Sequence, residues 1–188
     1  MIPLCQSDAQ TDATTPEGVD WGLPRAKTIE WHDPARSARW AQQLDGLKFI
    51  QAVVDGVIPA PPIASLMNMR FMAAEKGSVV CELDPDESMY NPIGGIHGGT
   101  MCTLLDTVVG CAVHTTLPAG VGYTSVEIKV NFIRAATQHS GTLIATGTVK
   151  KGGRRIAFAE GEVTDIEGRV VATATSTLLL FENPGAAA

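Results

Sequence analysis

The chain has 188 residues, 45% of them hydrophobic and only 5% aromatic, with a formal net charge of −6. That length fits one domain with an extension, and its core must be filled by Val, Ile, Leu and Ala rather than by rings. The acidic balance excludes a generic nucleic-acid-binding surface, although Lys150, Lys151, Arg154 and Arg155 make a local basic cluster.

Residues 1 to about 26 are polar, with Ser7, Asp8, Thr11, Asp12, Thr14, Thr15 and Pro16, and read as a flexible tail. Lys27 to Trp31 reads as a short strand. Asp33-Pro34 then resembles a helix N-cap followed by proline in the first turn. Trp40, Leu44, Leu47, Ile50 and Val54 follow at helical spacing, which predicts one helix from about 35 to 55. Gly56 and Pro59-Ala60-Pro61-Pro62 end it.

Two strands, Met67 to Ala74 and Ser78 to Leu83, are joined by Glu75-Lys76-Gly77. A glycine-broken loop from Asn91 leads into a helix from Gly98 to about His114, closed by Leu117-Pro118-Ala119-Gly120. From Val126 to Ile133 the residues alternate mostly apolar and polar, the period of a strand. Gly141 to Val149, Arg155 to Thr164 and Arg169 to Phe181 complete a meander, with hairpin turns at Lys151-Gly152-Gly153 and Asp165-Ile166-Glu167-Gly168. One long helix followed by antiparallel strands predicts an α+β fold with a curved sheet wrapped around that helix. Its apolar arc is Met101, Leu104, Leu105, Val108, Val109, Ala112 and Val113.

Cys5, Cys81, Cys102 and Cys111 form no Cys-x-x-Cys pair, and no histidine cluster has zinc spacing. They read as reduced thiols of a cytoplasmic protein. A secretory leader is not expected, because no basic region precedes an apolar run at the N-terminus. No apolar stretch is long enough to span a bilayer.

The richest stretch runs from Asn91 through His97-Gly98-Gly99 to Asp106. Its loop-to-helix join offers backbone N–H groups at a positive helix end, where they attract negative charge. Asp106 falls at the edge of the apolar arc, with small Cys102 and Gly110 one turn to either side. An aspartate there faces solvent, caps nearby backbone, or serves a site. Gly98 and Asp106 lie ~12 Å apart along one helix at 1.5 Å per residue. A reacting carbonyl needs its oxyanion donor and its attacking group each within roughly 3–3.5 Å. A site that used both would therefore be shared by two copies of the chain.

Asn91, His97-Gly98-Gly99, Leu105 and Asp106, with the meander after them, resemble the hotdog-fold acyl-CoA thioesterases of the phenylacetate-degradation (PaaI) type. The similarity covers about residues 62 to 182. It implies a hotdog domain at 62–182, an N-terminal extension at 1–61 and a short tail at 183–188. It further implies hydrolysis of an acyl-CoA to a free acid and CoA, with no metal or redox cofactor and CoA as part of the substrate. Gly98 would donate its N–H to the thioester carbonyl, beside Gly99. Asn91 would hold that region or orient a water near the leaving sulfur. His97 would fix the loop from behind, with a bond to Asn91 as one means. Asp106 of the partner chain would be the nucleophile or the general base. Ser125, with Thr124 as the alternative, would position water. Leu105, Val109 and Val113 would line an acyl slot between the helices of two subunits, and the basic cluster would meet the CoA phosphates. A homodimer, further paired into a homotetramer, is the expected assembly, with no nucleic acid and no membrane as partner.

Two rival readings stay in play. A hotdog hydratase or dehydratase would pair an acid with a histidine in a different arrangement. A non-catalytic acyl-CoA sensor would carry a DNA-binding helix-turn-helix, and the extension has only one convincing helix and little basic charge.

Overall fold

The computed structural model describes residues 19–182. The expected tail at 1–26 therefore falls mostly outside the described residues, as do the C-terminal residues 183–188. Residues 19–33 form no helix or strand. This corrects the strand expected at Lys27–Trp31: the segment finds no ladder partner and is fastened by side chains, Lys27 pairing with Asp86 at 2.8 Å.

The single helix expected over 35–55 is two helices, α1 (Pro34–Gln43) and α2 (Gly46–Val54). Leu44 turns extended, and the Asp45 carboxylate caps α2 by accepting the Lys48 N–H at 3.0 Å. The helical spacing of apolar residues runs straight across this break and conceals it. Gly46 must be glycine here, because an added Cβ would lie 1.8 Å from the His114 carbonyl oxygen. α1 begins as expected, with Asp33 accepting the Ala35 N–H at 3.0 Å ahead of Pro34, but it buries none of its residues. All three tryptophans, Trp21, Trp31 and Trp40, belong to this N-terminal part and are exposed. A short helix α3 (Pro62–Leu66) follows the proline stretch that ends α2.

Next come β1 (Met69–Glu75), β2 (Ser78–Leu83) and the long helix α4 (Gly98–His114). The meander is β3 (Val121–Phe132), β4 (Leu143–Gly152), β5 (Ile156–Thr164) and β6 (Val170–Glu182). The six strands make one antiparallel sheet in the order β1-β2-β4-β5-β6-β3. The expected α+β architecture is the one observed: a curved sheet around one central helix, with α4 lying mainly across β4 and β5.

The sequence fits that contact residue by residue. β5 alternates cleanly, Ala157, Ala159, Gly161 and Val163 turning inward and Phe158, Glu160 and Glu162 outward. The inward side chains are small because the helix needs the space. Gly147 on β4 pairs directly with Gly161 on β5. A Cβ on Gly147 would stand 2.2 Å from the Val108 carbonyl oxygen, and one on Gly161 would stand 2.9 Å from a Leu105 methyl. The two glycines form a notch in which the α4 backbone rests. Met101, Leu104, Leu105, Val108, Val109, Ala112 and Val113, the predicted apolar arc, are all buried there.

No helix among the described residues is long and apolar enough to cross a membrane. Cys81 and Cys111 are buried and Cys102 is half-buried, all unpaired.

The notch yields a graded prediction. Gly147→Ala meets backbone, which cannot step aside, and should cost about 3 kcal/mol or more of stability in urea unfolding. Gly161→Ala meets the ends of side chains and should cost about 1–2 kcal/mol. Equal stability of the Gly147→Ala protein and the wild type would show that α4 does not depend on this contact for its seat.

Candidate active site

The entry to α4 is built from its loop. The Asn91 side-chain oxygen accepts the Ile93 and Gly95 N–H groups at 3.0 and 3.1 Å, and the Asn91 N–H donates to the Gly95 carbonyl at 2.8 Å. Gly94, at φ +85°, supplies the left-handed residue this tight turn needs. The loop is tied down by Ile96 N–H to the Ala136 carbonyl and His97 N–H to the Met89 carbonyl, both 2.8 Å.

His97 is the N-cap. Its Nδ1 accepts the Gly99 N–H at 2.8 Å, and its carbonyl accepts the Thr100 N–H at 2.9 Å. A bond between His97 and Asn91 is not formed: each spends its acceptor on backbone N–H groups of its own turn. The consequence is selective. With Gly99 and Thr100 satisfied, Gly98 is left as the first-turn N–H with no acceptor among the described residues. Phe132, at the end of β3, lies over Gly98, and a Cβ there would sit 3.0 Å from the ring.

Two turns further on, Asp106 is exposed and accepts a hydrogen bond from the Ser125 hydroxyl at 2.7 Å. Ser125 stands at a β-bulge, where the register with β6 shifts between Ser125 and Glu127 and leaves Val126 as the extra residue. Strand alternation turns Thr124 to the opposite face, so of the two expected hydroxyls the fold brings Ser125 to the carboxylate. Gly98 and Asp106 remain at separate places on the helix, as their spacing requires.

Three expected acyl-slot residues need correction. Leu105, Val109 and Val113 are each 0% exposed and belong to the core between α4 and the sheet, where they offer no surface to a ligand. Within the basic cluster, Lys150 pairs with Glu160 at 2.8 Å. Arg154 and Arg155 have no ion pair among the described residues and border a surface depression beside Leu117 and Phe181.

Tyr123 is the neighbour that spacing alone did not single out. It shares a face of β3 with Ser125, and its ring fills the room that Gly110 leaves, a Cβ there lying 2.7 Å from the ring. Burial, together with the adjacent Cys111 and Asp106, raises the Tyr123 hydroxyl well above its usual range. The Cys111 thiol is pushed up to about 12, chiefly by burial. His114 sits between Phe49 and Tyr123, each ring centroid 5.5 Å away and the planes tilted by 45° and 50°, and burial lowers its pKa. The signal that could have found Tyr123 is the pairing of a helix glycine one turn past the carboxylate with an aromatic residue two before the serine.

Chemically, one end of this assembly offers a free N–H at a helix start, suited to a developing oxyanion. The other offers a carboxylate bonded to a hydroxyl, suited to taking a proton from water.

Comparison with known proteins bears on this geometry. The family model for the thioesterase superfamily matches residues 93–172, the stretch that contains Gly98, Asp106 and Ser125. A candidate esterase of Halobacterium salinarum is 31% identical over 150 residues, covering 74% of this chain and 95% of that protein. Human acyl-coenzyme A thioesterase 13 is 28% identical over 113 residues, covering 60% of this chain and 79% of that one. The crystal structure of a phenylacetic acid degradation-related protein from Ralstonia eutropha, a candidate thioesterase, aligns with a TM-score of 0.63 at 26% identity. That alignment covers 69% of this chain and 98% of the Ralstonia chain.

The thiols give a check on this part of the molecule. In the native protein at mild alkaline pH, iodoacetamide should modify half-buried Cys102 well before Cys111 or Cys81, whose thiols burial keeps protonated. Peptide mass spectrometry reads the order. Early alkylation of Cys111 would mean that its surroundings open in solution.

Proposed function

This chain belongs to the thioesterase superfamily, and we propose that it is an acyl-CoA thioesterase whose active site is completed by two subunits. It is a thioester hydrolase of the PaaI-like hotdog class. The observation that carries the finer reading is the contrast between the two ends of β3. The Ser125 end lies at Asp106, and the Phe132 end lies over Gly98.

β3 is an edge strand, its outer side unpaired among the described residues, with Val126 and Phe132 exposed on it. Such an edge invites a further strand. A second copy pairing antiparallel about a two-fold axis near Ile128 and Lys129 would exchange the two ends. One subunit's Ser125 and Asp106 would then stand beside the other's Phe132 and Gly98. This overcomes the ~12 Å separation along one helix and gives two equivalent sites per dimer. Pairing of such dimers into tetramers is part of the same proposal.

In the proposed reaction the Gly98 N–H polarises the thioester carbonyl at the start of α4. Ser125 donates to one Asp106 oxygen and keeps lone pairs to accept from a water. The other Asp106 oxygen takes a proton from that water as its oxygen bonds to the carbonyl carbon. The negative charge that gathers on the carbonyl oxygen is held at Gly98. Collapse breaks the carbon–sulfur bond, and the proton on Asp106 goes to the leaving sulfur, giving free acid and CoA. Water is the only co-reactant, and the Asn91 amide N–H groups are free to hold the carbonyl region. Arg154 and Arg155 are the candidates to meet the CoA phosphates. The unpaired thiols favour a reducing, cytoplasmic setting, and residues 1–61 are taken as an extension of a catalytic unit at 62–182.

Asp106→Asn should lower thiol release from acyl-CoA by ~10²-fold or more with the fold kept. Activity within about threefold of wild type would remove Asp106 from the mechanism. A single turnover in ¹⁸O-water should put label in the acid and none in Asp106; labelled Asp106 would show direct attack by the carboxylate instead.

Subunit sharing has its own test. Gly98→Pro deletes the donor N–H at a helix start that tolerates proline. Mixed with Asp106→Asn under subunit exchange, it should form heterodimers with one intact site, restoring about half the wild-type rate per mixed dimer. No recovery despite demonstrated exchange would place both groups' action within one chain or the site elsewhere.

A further inference from the structure

Between the N-terminal helices and the far half of α4 lies an apolar pocket of about 260 Å³. Its walls include Phe49, Ile50 and Val53 of α2, Phe71 of β1, and His114 and Tyr123. Ser37 and Ala38 of α1 and the prolines that follow α2 also line it. No Asp, Glu, Lys or Arg lines it, and burial favours the uncharged form of His114. A pocket lined mainly by apolar side chains, with His32 among the few polar ones, takes a largely apolar ligand.

Its position ties it to the site. Tyr123, one wall, shares its strand face with Ser125, two residues on. The same ring packs on Gly110, four residues and ~6 Å along α4 from Asp106. One wall of the pocket, Tyr123, therefore packs a single helix turn beyond the carboxylate. At ~30 Å³ per water-sized group, 260 Å³ holds about eight or nine such groups, the bulk of a medium-length acyl chain or a phenyl-bearing acyl group.

We propose that this pocket receives the acyl group of the thioester and that the N-terminal helices cap it, so that α1 sets the upper limit on acyl length. The proposal rests on the thioesterase reading above. It gives the extension a role in substrate choice: the acyl group runs past Tyr123 toward α1, within the subunit that supplies Asp106. The core residues Leu105, Val109 and Val113 play no part in it.

The experiment is a kcat/KM profile over straight-chain acyl-CoAs from acetyl to palmitoyl, with the full chain and with Ala38→Trp and Ser37→Phe. Both substitutions fill the pocket from α1, which buries none of its own residues, and circular dichroism checks that the fold is kept. The wild type should favour medium chains. In the variants, kcat/KM for decanoyl-CoA should fall by ~20-fold or more, at about fourfold for each methylene evicted. Acetyl- and propionyl-CoA should stay within about twofold of wild type. An unchanged profile in both variants overturns the pocket assignment and leaves the thioesterase reading standing. A uniform loss at every chain length overturns it too, since the damage would then lie at the reacting end. A wild-type protein that releases no thiol from any acyl-CoA overturns the thioesterase reading and this pocket with it.

Discussion

The contact between the α4 backbone and the sheet at Gly147 is the constraint on which the rest depends. Helix and sheet meet there with no side chain between them, and Gly161 deepens the same notch from the neighbouring strand. Packing this close fixes both the height of the helix over the sheet and its rotation. Rotation decides which residues leave the core. With Leu105 and Val109 turned into the notch, Asp106 must emerge at the rim, and β3 presents Ser125 to meet it. Had the notch been filled by larger residues, the helix would stand off, and a 2.7 Å bond from strand to helix would have no reason to form at this position.

A helix that runs from a bare N–H to a carboxylate carries two chemically opposite groups on one rigid rod. They cannot converge within one molecule, and the proposed site brings them together by setting a second rod beside the first, running the other way. The loop before α4 is built for the same end. Asn91 and His97 consume the neighbouring donors, and one donor is left over. Selective satisfaction of backbone groups is a cheap way to aim a dipole, because it needs no charged side chain and no metal.

Much of this was legible in the sequence, for reasons that can be named. α4 runs over Gly98–His114 as its glycine start and apolar arc predict, and the turn at Asp165–Gly168 separates β5 from β6 where expected, whereas the turn expected at Lys151-Gly152-Gly153 falls at Gly153–Arg155, because Lys151 and Gly152 pair with Phe158 and Ala157 as the end of β4. These signals are local and periodic. The break at Leu44–Asp45 was lost because the apolar spacing continues through it, and only the cap at Asp45 and the contact beneath Gly46 reveal it. Lys27–Trp31 has the composition of a strand but pairs with neither edge of the sheet. The choice between Thr124 and Ser125 turned on strand register, and the bulge at Val126 adds a shift that alternation does not foresee. Leu105, Val109 and Val113 were misread for a different reason: nearness to Asp106 along a helix says nothing about which way a residue faces. The pocket at Tyr123 joins segments more than sixty residues apart, and no local pattern encodes it.

The placement of the tryptophans has a practical consequence for anyone who handles this protein. All three sit in the segment before residue 41, exposed, and the sheet and its central helix contain none. Intrinsic fluorescence is therefore a report from the periphery. A change in emission on heating or in denaturant would register the N-terminal helices coming away, and it would do so whether or not the sheet had melted. Circular dichroism would follow the bulk of the fold instead. If the two signals part company, the gap between them measures how firmly the extension is held, a quantity that a single optical probe would silently merge with the stability of the whole.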